Sequence, residues 1–149
     1  AKALFEELKG YNSDIETKFI NHTNWDASKG LPYVIDADAD LRDKFNEEHI
    51  FQGITITAGG FYGAQGRVLR LQLNDVELNN KIDSFLYNDL KATNLEMETA
   101  AIYGLCKLLG HKALSMNAIV ANRKTGEFSA NPYDTIDTLI RFSLNKIIG

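Results

Sequence analysis

The chain has 149 residues, 44% of them hydrophobic and 24% charged, with a net charge of −4; roughly 70% of the unfolded surface of such a chain is buried in one core, which argues against two independent domains. The mildly acidic balance, with no basic stripe carrying interleaved aromatics, excludes a nucleic-acid partner, and no apolar run reaches the roughly 18 residues that cross a bilayer. A single cysteine, Cys106, forms no internal disulfide, and with no signal-like start it points to a reducing compartment, the cytoplasm.

The opening stretch "AKALFEELKG" predicts an amphipathic helix with Leu4 and Leu8 at helical spacing and Gly10 as its stop. It begins without a leader, as a mature chain does after losing its methionine and as an excised or truncated chain does as well. Residues 11–34 are polar and poorly periodic and read mostly as loop, so residues 1–30 are expected to be a variable helix and loop region. "DADLRDKFNEE" predicts a short helix, with Leu41 and Phe45 four apart and Asp38 or Asp40 available to cap its start. "HIFQGITITAG" alternates β-branched residues and predicts a strand. Residues 77–91 put Leu78, Ile82, Phe85, Leu86 and Leu90 on one helical stripe; the short segment "ATNLEME" and the apolar helix "TAAIYGLCKLLGH", stopped by Gly110, come next. "KALSMNAIVAN" reads as a buried strand and "RKTGEFSANP" as a loop. A last helix, "YDTIDTLIRFSLNKII", is expected to turn Ile136, Leu139, Ile140, Leu144 and Ile147 inward. Strands separated by helices predict an α/β fold, a sheet of mixed strands covered by helices.

Ligands in such folds sit where strand ends open into loops, which selects the turn after residue 57, the segment around residue 95 and the loop after residue 120. In "TAGGFYGAQGR" the glycines let the backbone turn sharply and approach a ligand. Gln65 and Arg67, two apart, share a face in an extended segment and offer an amide beside a planar fork of donors. That inventory matches the edge of a uracil ring; the alternative is a surface turn with a solvated arginine. In "NLEMETAAIYGL", Glu96 and Glu98 flank Met97 ahead of a helix apolar enough to lie inside. A carboxylate near the core needs hydrogen-bond partners, and a vicinal diol, as in ribose, is a suitable one. The alternative is that Glu98 merely occupies a first helical turn, where the dipole favours it.

Together and in order, "FYGAQGR", "NLEMETAAIYGL" and "AIVANR" resemble the uridine phosphorylase branch of the nucleoside phosphorylase-I family, over a region from about Leu31 to the C-terminus. The resemblance implies the nucleoside phosphorylase fold, here partial, and phosphorolysis of uridine to uracil and ribose 1-phosphate with no cofactor, phosphate being a co-substrate. Carried over by position, Gln65 and Arg67 recognise the uracil edge with Phe61 packed against the base, and Arg123 is a second arginine near the base, acting through water. Met97 and Glu98 hold the ribose, with Glu96 a nearby contributor, and "KTGEFSANP" is a mobile flap. The catalytic pair is Arg67, which stabilises the departing uracil anion, and Glu98, which orients the sugar. Purine-cleaving relatives carry an aspartate where Asn122 stands, so purine nucleoside phosphorylase or nucleosidase activity is the alternative enzyme reading.

The departures matter as much. The family binds phosphate with a glycine-rich turn and arginines of an N-terminal half, and borrows further residues from a neighbouring subunit of a homo-oligomer. The chain offers no such turn before residue 31, so residues 1–149 read as the C-terminal portion of one such domain, with the phosphate-binding residues unknown. The N-terminal half is then a partner, and the chain alone is expected to be inactive. A complete chain of this length would instead be a non-catalytic nucleoside-binding subunit. Ala64 stands where many relatives have proline. His22, His49 and His111 have no ligand spacing with each other or with Cys106, so no metal is expected. Cys106 reads as a core residue, and Trp25 is given no role.

Overall fold

The computed structural model describes residues 7, 8 and 10–149, so most of the helix expected over residues 1–10 lies outside the described residues. Leu8 is buried.

The first correction falls on residues 11–34. Helix α1, Ser13–Thr23, occupies the stretch read as loop and buries Ile15, Glu16, Phe19 and Thr23. Two of these inward residues are polar, which erases the apolar period from the sequence, yet both are satisfied locally. Glu16 accepts hydrogen bonds from the amides of Gly10 at 2.9 Å and Val34 at 3.0 Å, tying the next connection to the helix. The Thr23 hydroxyl donates to the Phe19 carbonyl at 2.8 Å. Asn24, at φ 50°, ends the helix in the left-handed conformation that asparagine tolerates.

Helix α2, Ala39–Phe45, forms as expected, and its capping residue is Asp38, which accepts from the Leu41 amide at 3.0 Å. Strand β1 is Ile54–Thr57. Helix α3, Leu78–Ser84, stops well short of the stripe expected over residues 77–91. Asn88 and Asp89 both have positive φ, 47° and 68°, the geometry of a two-residue hairpin turn. They join β2, Leu86–Tyr87, to β3, Leu90–Glu96, in antiparallel pairing. Leu86 and Leu90 therefore leave the helical stripe for exposed hairpin positions, and "ATNLEME" belongs largely to the central strand of the sheet.

That sheet has the order β1-β3-β2, with β1 parallel to β3. The mixed sheet and its helices make an α/β fold. Its core joins Ile15 and Phe19 of α1 to Ile82 of α3 and Phe85 just beyond it. The Phe19 and Phe85 rings meet edge to face at 5.2 Å, and Trp25 completes the group at 5.8 Å from Phe19. Helices α4, Thr99–Leu108, and α5, Pro132–Ile148, follow.

Three further expectations change. Residues 112–120 belong to no strand of the sheet; the Ala113 carbonyl accepts from the Asp38 amide at 3.0 Å and the Val120 carbonyl from the Ser129 amide at 2.8 Å, next to the Ala121–Phe128 bridge. A groove of about 450 Å³, bounded by Thr55, Thr93, Ser115 and Asn117 among others, lies between this segment and the sheet. Helix α4 is not inside: Thr99 and Gly104 are buried, whereas Ile102, Leu105, Leu108 and Leu109 are exposed. No residue of α5 is buried, and Ile136, Ile140, Leu144 and Ile147 all face solvent. The apolar stripes exist as read, but α5 meets α2 through the Phe45 and Phe142 rings, 6.1 Å apart, and of its stripe only Leu139 is partly covered.

Candidate functional site

The pairing of β1 with β3 sets Thr57 opposite Glu96, and the Ala58 amide extends the ladder by donating to the Glu96 carbonyl at 2.8 Å. Two loops thus leave the same C-terminal edge of two parallel strands, one carrying residues 58–67 and the other residues 97–99.

The first loop is not extended. It tightens into a 3₁₀ turn, Gly63–Gln65, and Gly66 follows at φ 74°, a left-handed conformation in which a side chain is strained. Gln65 and Arg67 are brought together by this reversal of the chain rather than by strand alternation: Nη1 of Arg67 donates to Oε1 of Gln65 at 2.6 Å. The same Nη1 also donates to the Phe61 carbonyl, and the guanidinium carbon lies 3.7 Å from the centre of the Phe61 ring. Phe61, half-exposed, is a platform for Arg67, a cation–π stack made before any base arrives.

Arg123 reaches the same point from 58 residues away. Its Nη2 donates to Gln65 Oε1 at 2.6 Å and its Nη1 to the Gln65 carbonyl at 3.4 Å. One amide oxygen therefore sits between two guanidiniums, and Gln65, only 4% exposed, is left with its amide nitrogen to offer. Neither arginine forms an ion pair with a carboxylate among the described residues. Partial burial and the nearby Arg67 charge both push the Arg123 guanidinium below its ordinary pKa. An electron-rich, planar ligand edge is what this arrangement accepts best.

On the second loop the two glutamates divide. Glu96 takes the Thr57 hydroxyl on one oxygen and, on the other, the amides of Glu98 and Thr99, each at 2.7 Å. Burial acts to raise its pKa, but these donors outweigh it and hold the carboxyl below the ordinary glutamate value. The Thr57 hydroxyl in turn accepts from the Ala100 amide at 2.9 Å. Strand β1, strand β3 and the start of α4 are thereby knotted at one carboxylate, which leaves Glu96 little capacity for a diol. Glu98 is the N-terminal boundary residue of α4 and is exposed, its carboxylate accepting, among the described residues, from the Met97 amide alone at 3.2 Å. It is the free carboxylate of the segment, at the helix end where negative charge is favoured, and Met97 is exposed beside it.

The base-side residues therefore form one chain of contacts, Phe61 to Arg67 to Gln65 to Arg123, while Met97 and Glu98 stand on the adjoining loop without a hydrogen bond or ion pair to them among the described residues. Sequence reasoning missed Thr57, which holds Glu96, and Asn79, whose Nδ2 donates to the Gln65 carbonyl at 3.3 Å. The threonine could have been found as the residue facing Glu96 across the ladder; "NNKID" gives no comparable sign. Asn122 accepts from the Lys124 and Thr125 amides at 2.9 and 3.3 Å, so its side chain shapes the hairpin that carries Arg123. The histidines are dispersed: His22 sits against Lys81 and Ser84, and His49 against the Phe142 ring.

A uridine phosphorylase from Thermococcus kodakarensis is 39% identical over 82 residues, which cover 51% of this chain and 27% of that protein. The chain therefore matches little more than a quarter of the relative's length. No solved structure matches significantly. The sequence profile of the phosphorylase superfamily matches residues 5–142, and the chain belongs to that superfamily.

Proposed function

We propose that the protein is a pentosyltransferase that cleaves uridine with phosphate to give uracil and ribose 1-phosphate, this chain supplying the base and ribose sites. The observation that carries the reading is the pair of guanidiniums, Arg67 and Arg123, gathered on the Gln65 amide oxygen with no carboxylate among the described residues paired to either. Cleavage of a nucleoside leaves negative charge on the departing base and positive charge on the sugar ring. Arg67 meets the first, acting where charge appears and already oriented by Phe61 and Gln65. The Gln65 amide nitrogen donates to a ring carbonyl, and Arg123 reinforces the same edge through Gln65. Glu98 accepts from the ribose hydroxyls and tempers the positive charge, with Met97 lining the sugar; Glu96 acts behind it by fixing the start of α4. The likeness to the archaeal uridine phosphorylase supports the choice of substrate. Phosphate is bound by residues of the remaining N-terminal half or of a neighbouring subunit in a homo-oligomer, and the segment 124–132 closes over the base as a flap.

The geometry of Asn122 weighs against the purine reading. Its side-chain oxygen is committed to two backbone amides of its own turn, and an amide has no acidic proton to give a purine ring. Among the described residues no helix is long and apolar enough to cross a membrane, in keeping with a cytoplasmic enzyme. Assay of the intact enzyme on uridine, thymidine and inosine with saturating phosphate tests the proposal. Uridine is expected to be the best of the three, and turnover of inosine equal to or above that of uridine contradicts the assignment.

A further inference from the structure

Helix α3 touches both halves of the arginine site. Leu78 and Ile82 face the core, and the next row of the helix carries Asn79 and Asp83, one turn apart on a common face. Asn79 supports the turn: it donates to the Gln65 carbonyl at 3.3 Å, the same oxygen that Arg123 reaches at 3.4 Å. Contact there is close enough that a Cβ on Gly66 would lie 2.0 Å from Asn79 Nδ2. Asp83 holds the hairpin: its Oδ2 accepts from Lys124 Nζ at 2.5 Å, one residue beyond Arg123. The hairpin is closed on itself by the Asn122 amide donating to the Glu127 carbonyl at 2.8 Å, so it moves as a unit with Arg123.

We propose that Asn79 and Asp83 are positioning residues for the base site, a brace on α3 that holds the Gln65 turn and the Arg123 hairpin together. The inference rests on the uridine reading for its kinetic consequence and on geometry alone for its structural one. Two guanidiniums sharing one oxygen repel each other, so their separation is set by whatever fixes the two loops. An exposed ion pair such as Asp83–Lys124 stabilises little by itself; the buried-side contact of Asn79 is therefore the larger contributor. Asparagine is required there as a donor, because a carboxylate at the same place would set an acceptor against the Gln65 carbonyl.

The experiment uses the intact enzyme and two variants, Asn79→Asp and Asn79→Ala, with uridine kinetics, thermal unfolding and NMR of the Arg67 and Arg123 guanidinium groups. Both variants are expected to lose roughly tenfold in kcat/KM for uridine, Asn79→Asp the more, with the KM for phosphate unchanged and the Arg123 guanidinium rotating faster than in the parent. Parental uridine kinetics and guanidinium signals in both folded variants overturn the brace. A loss of thermal stability without a change in either readout assigns Asn79 a structural role and overturns it too. If the parent enzyme does not cleave uridine, the substrate reading fails while the guanidinium signals still decide the brace. For the second arm, the double variant Asp83→Lys with Lys124→Asp is expected to restore the signals that Asp83→Lys alone alters; a double variant no closer to the parent contradicts that arm.

Discussion

The side chain that organises the site is Glu96, although Glu98 and Arg67 carry the proposed chemistry. Because Glu96 is held below the ordinary glutamate pKa by the Thr57 hydroxyl and two amides that outweigh its burial, its contribution to stability is present above the unfolded pKa of about 4.3. It is lost as pH falls through the lower folded value. Glu96→Gln is therefore expected to be less stable than the parent at pH 7, with the gap closing as the solution is acidified below pH 4, followed by urea unfolding across that range. A gap independent of pH contradicts the role given to the carboxylate. Gly66 makes a second test: Gly66→Ala must adopt φ near 74° and collide with Asn79, a cost of about 1–3 kcal/mol. An unchanged melting temperature contradicts that turn geometry. At this scale residue type alone singles out Gln65, Arg67 and Glu98 as candidates, and their roles are what the variants test. Which of two neighbouring glutamates is tied up, and that Arg123 grips Gln65 directly, depends on register and loop closure, which residue identity does not carry.

Among the elements, β1, α2 and α5 form close to where periodicity predicts them, because each has an unbroken pattern and a recognisable start. Helix α1 was hidden by its own polar inward residues, Glu16 and Thr23. The hairpin at 86–96 was hidden by a coincidence: Leu78, Ile82, Phe85, Leu86 and Leu90 fit a helical stripe, while the Asn88–Asp89 turn that breaks it depends on two left-handed residues of a type less familiar than Asn-Gly. The consequence is energetic as well as topological. Phe85, 2% exposed, ends α3 in an extended conformation that packs its ring on Phe19. Phe85→Ala is expected to lower stability by about 3–5 kcal/mol, measured as a shift of the urea midpoint with unchanged slope. A loss below about 1 kcal/mol contradicts the placement of the core at the α1–α3 contact.

Taken whole, the molecule carries more apolar surface than its own elements cover. The stripes on α4 and α5 stand exposed, and residues 112–120 belong to no strand among the described residues, beside a groove at the sheet. Surfaces of that kind mark interfaces. With the match confined to 27% of the relative's length, the occupant we propose is the N-terminal half of the same enzyme, which would add strands beside residues 112–120 and bury both helices. Residues 1–149 produced alone are then expected to bind a hydrophobic dye strongly and to lack phosphorolysis, and to lose the dye signal when the other half is supplied. Weak dye binding by the isolated chain contradicts this. The fold class was readable from the alternation of patterns, whereas the fate of the apolar stripes was not, since a stripe shows that a face must be covered and not what covers it.

Arg67, stacked on Phe61 and joined to Arg123 through Gln65, is the group we propose to receive the charge of a departing pyrimidine. The most direct measurement is kcat/KM for uridine in the intact enzyme and in its Arg67→Ala variant, with folding verified by thermal unfolding. A fall of at least about a hundredfold is expected; a folded variant with near-normal turnover removes Arg67 from the chemistry.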